Sequence, residues 1–369
     1  MKKTILILCF LVLILPLVTI TSLSAENQGF TVASCSLPSQ FSWRDINGTD
    51  YTTPVKNQAP APTCESYGLC ASLETLMQYT LGEVYTPDLS ETHLYFYAGG
   101  TYERGYVNIM DAANYLIEHG VPDEGCYPDP HRAFDYPYES LPGWENRTTK
   151  ITEWGWVEHD QESIKTALIE HGPLAICVHF MKDFLYYRGG VYRHRWGGSA
   201  GGHVMCMVGY DDTEQCWIVK NSAGTTWGED GWVRIAYDED MFADWYGPGT
   251  GIMYIDGVHG NLKPDVPKVH IETPDFFHTY VRGRAFSTLF RSLPIQKAAA
   301  RIIGDLTVQV TAENTNSVEF YLDSLIQYTD DEAPFTWELH ASRGLHTLEV
   351  RATNGSNISL DLRDIYVLT

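Results

Sequence analysis

The sequence predicts an α+β module followed by an all-β sandwich, and three observations carry that reading. Up to residue 171 the longer apolar patterns repeat at helical spacing. From residue 173 to 256 short apolar runs alternate with Gly-rich turns, as strands do. Beyond a joint at 258–268, where GNLKPDVPK carries Pro264 and Pro267, residues 269–369 read as alternating strands with polar turns, an antiparallel sandwich. Helices first and strands second place two sub-regions side by side, with a cleft between them as the natural location of a site.

Residues 1–25, MKKTILILCFLVLILPLVTITSLSA, have a short basic start, an apolar run and a small-residue end. That is a secretory signal peptide with cleavage near Ala25, because Pro16 interrupts the run and Ser24-Ala25 suits a signal peptidase. A retained anchor is the alternative, since the run approaches bilayer-spanning length. No second stretch does, so the expectation is a secreted protein without stable membrane insertion once the signal is removed. Residues 26–36 form a short N-terminal segment. The net charge of −22 argues against nucleic acid or anionic membrane as partners, since both would be repelled.

Within residues 37–257 the ordering element is PVKNQAPAPTCESYGLCASLE, from Pro54 to Glu74. Thr63 is an N-cap candidate, Cys64 opens a helix, and Gly82 ends it. A thiol at that position meets unpaired backbone N–H groups and the positive end of the helix dipole, and both favour thiolate. Gln58, six residues upstream, can offer its side-chain N–H₂ to an oxyanion formed at that sulfur. Further helices follow: one pattern in VNIMDAANYLIEHG, stopped by Gly120 and Pro122, and another from Asp160 to His171, stopped by Gly172-Pro173. Between them GCYPDPHRAFDYPYESLPGW reads as an ordered, irregular surface stretch. The strands are PLAICVHF, GGVYRH, HVMCMVGYD, CWIVKNS, GWVRIAY and TGIMYI.

Of the eight cysteines, Cys9 falls in the signal, which leaves an odd number and hence at least one free thiol. Cys64 is the natural candidate. Cys70, Cys177 and Cys206 lie in apolar runs and read as buried and unpaired, whereas Cys35, Cys126 and Cys216 are open to a disulfide. No Cys/His cluster has zinc spacing, and no metal or cofactor is expected. His203 and Asn221 follow Cys64 by roughly 140 and 160 residues, near the spacing at which a Cys–His–Asn arrangement occurs.

The strings around these three residues carry a specific resemblance. LPSQFSWRD, PVKNQ, GPLAICVHFMKDFLYYRGGVY, GGHVMCMVGYDD and WIVKNSAGTTWGEDGWVRI resemble the corresponding segments of papain-family cysteine peptidases, over about 220 residues. The resemblance implies a papain-like two-subdomain fold, with a helical left part and a β-barrel-like right part. It implies Cys64 as nucleophile and His203 as general base and acid. Asn221 would orient the His, and Gln58 with the Cys64 backbone N–H would form the oxyanion hole. Met110, Cys177, Gly201 and Val204 would line the main specificity pocket and suggest an apolar substrate side chain, though Cys177 is equally readable as core. Protein or peptide substrates follow.

The chain also departs from the family pattern. Glu65 stands where a Trp usually follows the nucleophile; it reads either as a solvated helix-start charge or as a contact for a basic substrate residue, and it would raise the thiol pKa. Ala61 replaces a disulfide Cys, with Ala59 and Pro60 beside it, and Ala223 replaces the Trp that shields the Asn–His bond. Gly105-Tyr106-Val107 falls nearest to the substrate-binding glycine pair. The few residues between signal and peptidase start leave no room for the long inhibitory propeptide. Two rival readings are a catalytically weak homologue that binds peptides or surfaces, and an acyl transferase on the same scaffold. Residues 269–369 resemble the bacterial and archaeal Ig-like domains of exported enzymes, which implies a spacer or a module for surface or polymer contact. Asn47, Asn146, Asn354 and Asn357 start N-x-S/T sequons.

Overall fold

The computed structural model describes residues 36–101, 103–129, 139–287 and 299–368. The expected signal segment, Cys35 and much of the Pro- and aromatic-rich stretch lie outside the described residues.

Among the described residues there are four α-helices: α1 (Cys64–Leu81), α2 (Glu91–Tyr97), α3 (Ile109–Glu118) and α4 (Gln161–Glu170). Ser90, Asn108 and Asp160 each cap a helix with a side-chain oxygen that accepts a backbone N–H. Thr63 does not: its hydroxyl is buried without a partner, and only its carbonyl enters the helix, accepting from Ser66 and Tyr67. Gly82 ends α1 in the left-handed conformation, φ 65°, where glycine has no Cβ to strain. Buried positions lie on every face of α1, so its hydrophobic pattern is not that of a surface helix.

Among the described residues ten strands accompany the helices: β1 (Gln40–Ser42), β2 (Thr149–Lys150), β3 (Glu153–Trp156), β4 (Leu174–Met181), β5 (Val191–Tyr192), β6 (Ser199–Asp211), β7 (Cys216–Lys220), β8 (Trp232–Ala236), β9 (Ile252–Asp256) and β10 (His259–Gly260). Their main sheet runs β3-β9-β4-β6-β7-β8-β5, with β1 on β6. The first core joins α1, α2 and α3 to β4 and β6 through residues such as Leu69, Leu94, Ile109 and Val204. The second lies between α4 and the strands, around Leu168, Ile176, Phe184, Trp217 and Val233. Gly68 lets α1 lie directly against β6, because a Cβ there would come within 2.7 Å of the Val204 side chain. Helix α1 and the central strand β6 are thereby held at close range.

The joint is less free than its prolines suggest. His259–Gly260 pairs with β2, Leu262 packs on the helical core, Tyr85 donates its hydroxyl to the Leu262 carbonyl, and Lys263 pairs with Glu83. One apolar residue and one cation among the prolines turn the expected linker into a docked strap.

Among its described residues the C-terminal region has ten more strands: β11 (Lys268–Thr273), β12 (His278–Val281), β13 (Arg284–Ser287), β14 (Ala300–Ile303), β15 (Thr307–Glu313), β16 (Val318–Leu322), β17 (Leu325–Asp330), β18 (Phe335–Glu338), β19 (Gly344–Asn354) and β20 (Asn357–Val367). They make a three-stranded sheet, β11-β15-β18, and a seven-stranded one, β13-β12-β14-β20-β19-β16-β17. Both contribute to one core, with Ile271, Val308 and Trp337 from the first and Phe320, Leu348 and Ile365 from the second. The antiparallel expectation needs correction, since β14 lies parallel to both β12 and β20. β14 is covered on both faces and has no alternating pattern to read.

Arg147 fastens this region to the α+β module. Its guanidinium grips the Asp123 carboxylate and donates to the Ile358 carbonyl and to the Ser359 hydroxyl at 2.9 Å. Gly125 leaves the space that Ser359 occupies. Arg147→Ala is expected to lower stability by about 2–4 kcal/mol, because it strips a largely buried carboxylate of its partner. Denaturant unfolding measures the change, and an unaltered midpoint would remove Arg147 from the contacts that matter.

Candidate active site

α1, β6, the end of β7 and the loop before α1 carry the sequence-predicted residues, and hydrogen bonds join Gln58 to Ser222 and His203 to Asn221. Lys56 sets the loop, with Nζ at 3.0 Å from Glu74, 2.8 Å from Glu91 and 2.7 Å from Asp88. Burial works against its charge, yet Asp88, Glu74 and Glu91 carry its pKa well above the ordinary value. Two residues on, Gln58 is clamped. Its backbone N–H donates to the Ser222 carbonyl at 3.0 Å, its Oε1 accepts from the Ser222 hydroxyl at 2.6 Å, and its Nε2 donates to the Ala61 carbonyl at 3.0 Å. An amide nitrogen carries two hydrogens, so one N–H is left for a further acceptor.

His203 on β6 and Asn221, just after β7, form the central contact: Nε2 lies 2.8 Å from Asn221 Oδ1. The Ser222 backbone N–H donates to the same oxygen at 2.8 Å, which identifies it as the carbonyl end of the amide. An acceptor opposite Nε2 requires the proton there, so Nδ1 is the basic nitrogen. Burial holds the His203 pKa below its ordinary value, an effect partly offset by the Asn221 bond.

Two aromatic residues that sequence reasoning missed lie beside His203 and its chain neighbour Gly202. Phe180 stands edge-on to the imidazole, with ring centroids 5.2 Å apart at 85°. Trp245, 40% exposed, lies over Gly202, where a Cβ would meet its ring at 2.6 Å. Phe180, on β4, supplies apolar cover to the imidazole. The available signals were the aromatics in VHFMKD and ADWYG, but nothing in the spacing ties either to His203.

Cys64 is half-buried at the first residue of α1, and its thiol donates to Glu65 Oε2 at 3.6 Å. Burial pushes the thiol pKa well up and the Glu65 carboxylate adds to the rise, while the Val204 backbone N–H works in the opposite direction. Glu65 itself departs from the solvated-charge reading. It is only 6% exposed, and burial pushes its carboxyl up to about 7 even though it also accepts from the Val107 N–H.

Of the pocket candidates, Cys177 and Val204 are 0% and 1% exposed and belong to the helical core, so for Cys177 the core reading prevails. Met110 is partly buried against the same cluster, and Gly201 is exposed with φ +142°. Tyr246 packs on that cluster too, its hydroxyl 3.5 Å from the Ile109 N–H. Cys64, Cys70, Cys126, Cys177, Cys206 and Cys216 are all free thiols, so Cys126 and Cys216, both open to a disulfide on sequence, are unpaired. Among the described residues no group of three or more His, Cys, Asp or Glu is placed to hold a metal, and no helix is long and apolar enough to cross a membrane.

Comparison with known proteins bears on the same region. Residues 37–246 match the profile described as papain family cysteine protease. Fruit bromelain of Ananas comosus is 28% identical over 215 residues, which is 54% of this chain and 55% of that protein. Procathepsin L of Felis catus is 30% identical over 215 residues, covering 55% and 62% respectively. Cathepsin B-like CP3 of Giardia intestinalis is 45% identical over 92 residues, covering 24% and 30%. In each case the chain spans less than two thirds of the relative's length. The digestive procathepsin L2 proteinase from Tenebrio molitor larval midgut superposes with a TM-score of 0.52 at 25% identity, covering 61% of this chain and 70% of that one. The C-terminal sheets lie outside the span that the family profile matches.

Proposed function

Because the chain belongs to the papain family of cysteine proteases, we propose that it is an exported cysteine endopeptidase. The observation that carries this reading is the 2.8 Å contact between His203 Nε2 and Asn221 Oδ1, which leaves Nδ1 as a base beside the helix that bears Cys64. The Cys64 thiol passes its proton to Nδ1, and the thiolate attacks the scissile carbonyl carbon. The free N–H of Gln58 and the Cys64 backbone N–H stabilise the resulting oxyanion. The imidazolium gives its proton to the leaving amine, and a thioester remains. Water then loses a proton to His203, attacks the thioester carbon and releases the acid, restoring the thiol. No metal takes part in this sequence.

The substrates are proteins or peptides with an apolar side chain next to Met110 and Gly201, over a floor backed by Cys177 and Val204. We divide the chain into a signal (1–25), a short segment (26–36), the peptidase domain (37–257), a joint (258–268) and an Ig-like domain (269–369). The two-layer core of the last supports the Ig-like reading, and contact with a cell surface or polymer is its proposed use.

A second reading, a catalytically weak homologue that binds peptides, is favoured by one observation: the thiol donates to Glu65 and its pKa stands high. The deciding experiment is titration of the reduced protein with an epoxide inhibitor of cysteine peptidases, followed by intact mass and paired with cleavage of a peptide mixture. One equivalent bound, with cleavage lost in proportion, supports the endopeptidase. A folded, reduced protein that neither labels nor cleaves sinks it in favour of the weak homologue.

A further inference from the structure

We propose that Glu65 is a catalytic partner of Cys64, donating a hydrogen bond to the thiolate as the neutral acid and suppressing the thiolate as the carboxylate. The inference rests on the peptidase reading for its consequence, but its physical basis is independent of substrate. Glu65 directly follows the nucleophile in the first turn of α1, with Oε2 at 3.6 Å from the Cys64 sulfur. It is buried, so water screens its charge poorly, while the sulfur beside it is half-buried.

The groups that face it come from four elements: the Cys64 thiol on α1, the Tyr95 phenol on α2, the Cys177 thiol on β4, and the Tyr246 phenol in the segment before β9. None is a cation, and burial keeps the Tyr95 and Tyr246 phenols and the Cys177 thiol neutral at ordinary pH. Its remaining contacts are its own backbone N–H and that of Val107. A carboxylate and a thiolate this close, with no Lys or Arg among the groups that face Glu65 and only the His203 imidazole to carry a positive charge near the sulfur, disfavour each other, so ionisation of one holds the proton on the other.

The sign follows from the protonation states. Burial places the carboxyl near 7, against 4.5 for an ordinary one. Below that pH the acid O–H points a donor at the sulfur and favours the thiolate–imidazolium pair. Above it the roles reverse: the carboxylate accepts the S–H, and the nucleophile is lost as pH rises. Ionisation would recover the thiolate only at a pH above the raised thiol pKa. The nucleophile is therefore competent in mild acid, weak in mild alkali, and reactive again at high pH.

The test reads the thiolate rather than hydrolysis. The full chain is alkylated with iodoacetamide across the pH range, and modification of Cys64 is followed by intact mass with Cys64→Ala as blank. The expected rate is at least about tenfold lower near pH 8 than near pH 6, and rises again in stronger alkali. Glu65→Gln, which keeps a neutral donor at every pH, should remove the dip and hold the rate level between those points. Glu65→Met, neutral and apolar, should also remove the dip, and serves if the Gln variant does not fold. A parent rate that climbs steadily with pH, or a dip retained in either folded variant, overturns the proposal. A dip without peptide cleavage would overturn the endopeptidase reading alone, and cleavage without a dip would overturn only the role of Glu65.

Discussion

Cys64→Ala is expected to reduce kcat/KM for peptide cleavage by about 10⁴-fold or more, to the level that binding and the oxyanion donors sustain without a nucleophile. The size of the effect follows from what the other residues contribute. His203 has one basic nitrogen, and its partner Asn221 only orients it; with the sulfur gone there is nothing for that nitrogen to activate except water. Gln58 stays clamped by Ser222 and Ala61, so substrate binding should change little. The fall should therefore appear in kcat, with KM near the parent value, and epoxide labelling should vanish with it. The other described thiols are buried and leave the reagent no second target in that part of the chain. Substantial cleavage by the alanine variant would mean that the chemistry resides elsewhere.

The parts of this site differ in how openly the sequence displays them, for physical reasons. Cys64, His203 and Asn221 each sit in a string that chemistry and backbone geometry constrain together: a helix start, a strand under that helix, and the end of the neighbouring strand. The helix stops were equally open, since Gly82 and Gly172-Pro173 act locally. Glu65 was visible as a departure, but its burial was not, because burial depends on the segment around Val107 folding over it. Phe180 and Trp245 reach His203 and Gly202 across the sheet and a loop, contacts that no local period encodes. The same holds for Arg147, whose partners on β20 lie more than two hundred residues further along the chain. In the C-terminal sheets, alternation revealed the half-exposed strands and failed at β14, where both faces are covered. Local chemistry was legible; non-local packing was not.

Gln58→Ala is expected to lower kcat by about 10²–10³-fold with little change in KM, the usual effect of removing one side-chain oxyanion donor. Most of the Gln58 side chain's contacts are structural. Its oxygen is taken by Ser222 and one of its N–H groups by Ala61, so the amide cannot rotate freely to meet a ground-state carbonyl. Only the remaining N–H is available, and the position of the amide is set in advance by Lys56 and its three carboxylates. A donor fixed before the reaction pays no reorganisation when charge develops on the substrate oxygen, so its value is realised in the transition state. Gln58→Glu separates this role from packing. The shape and the contact with Ser222 survive, but the donor nitrogen becomes a carboxylate oxygen that gives up the Ala61 bond and faces a developing negative charge. If Gln58 acts as an oxyanion donor, the glutamate variant should be at least as impaired as the alanine variant in kcat while melting at a similar temperature. A glutamate variant close to parent activity would show that Gln58 serves only to hold Ser222 and the loop. The oxyanion would then rest on the Cys64 backbone N–H alone.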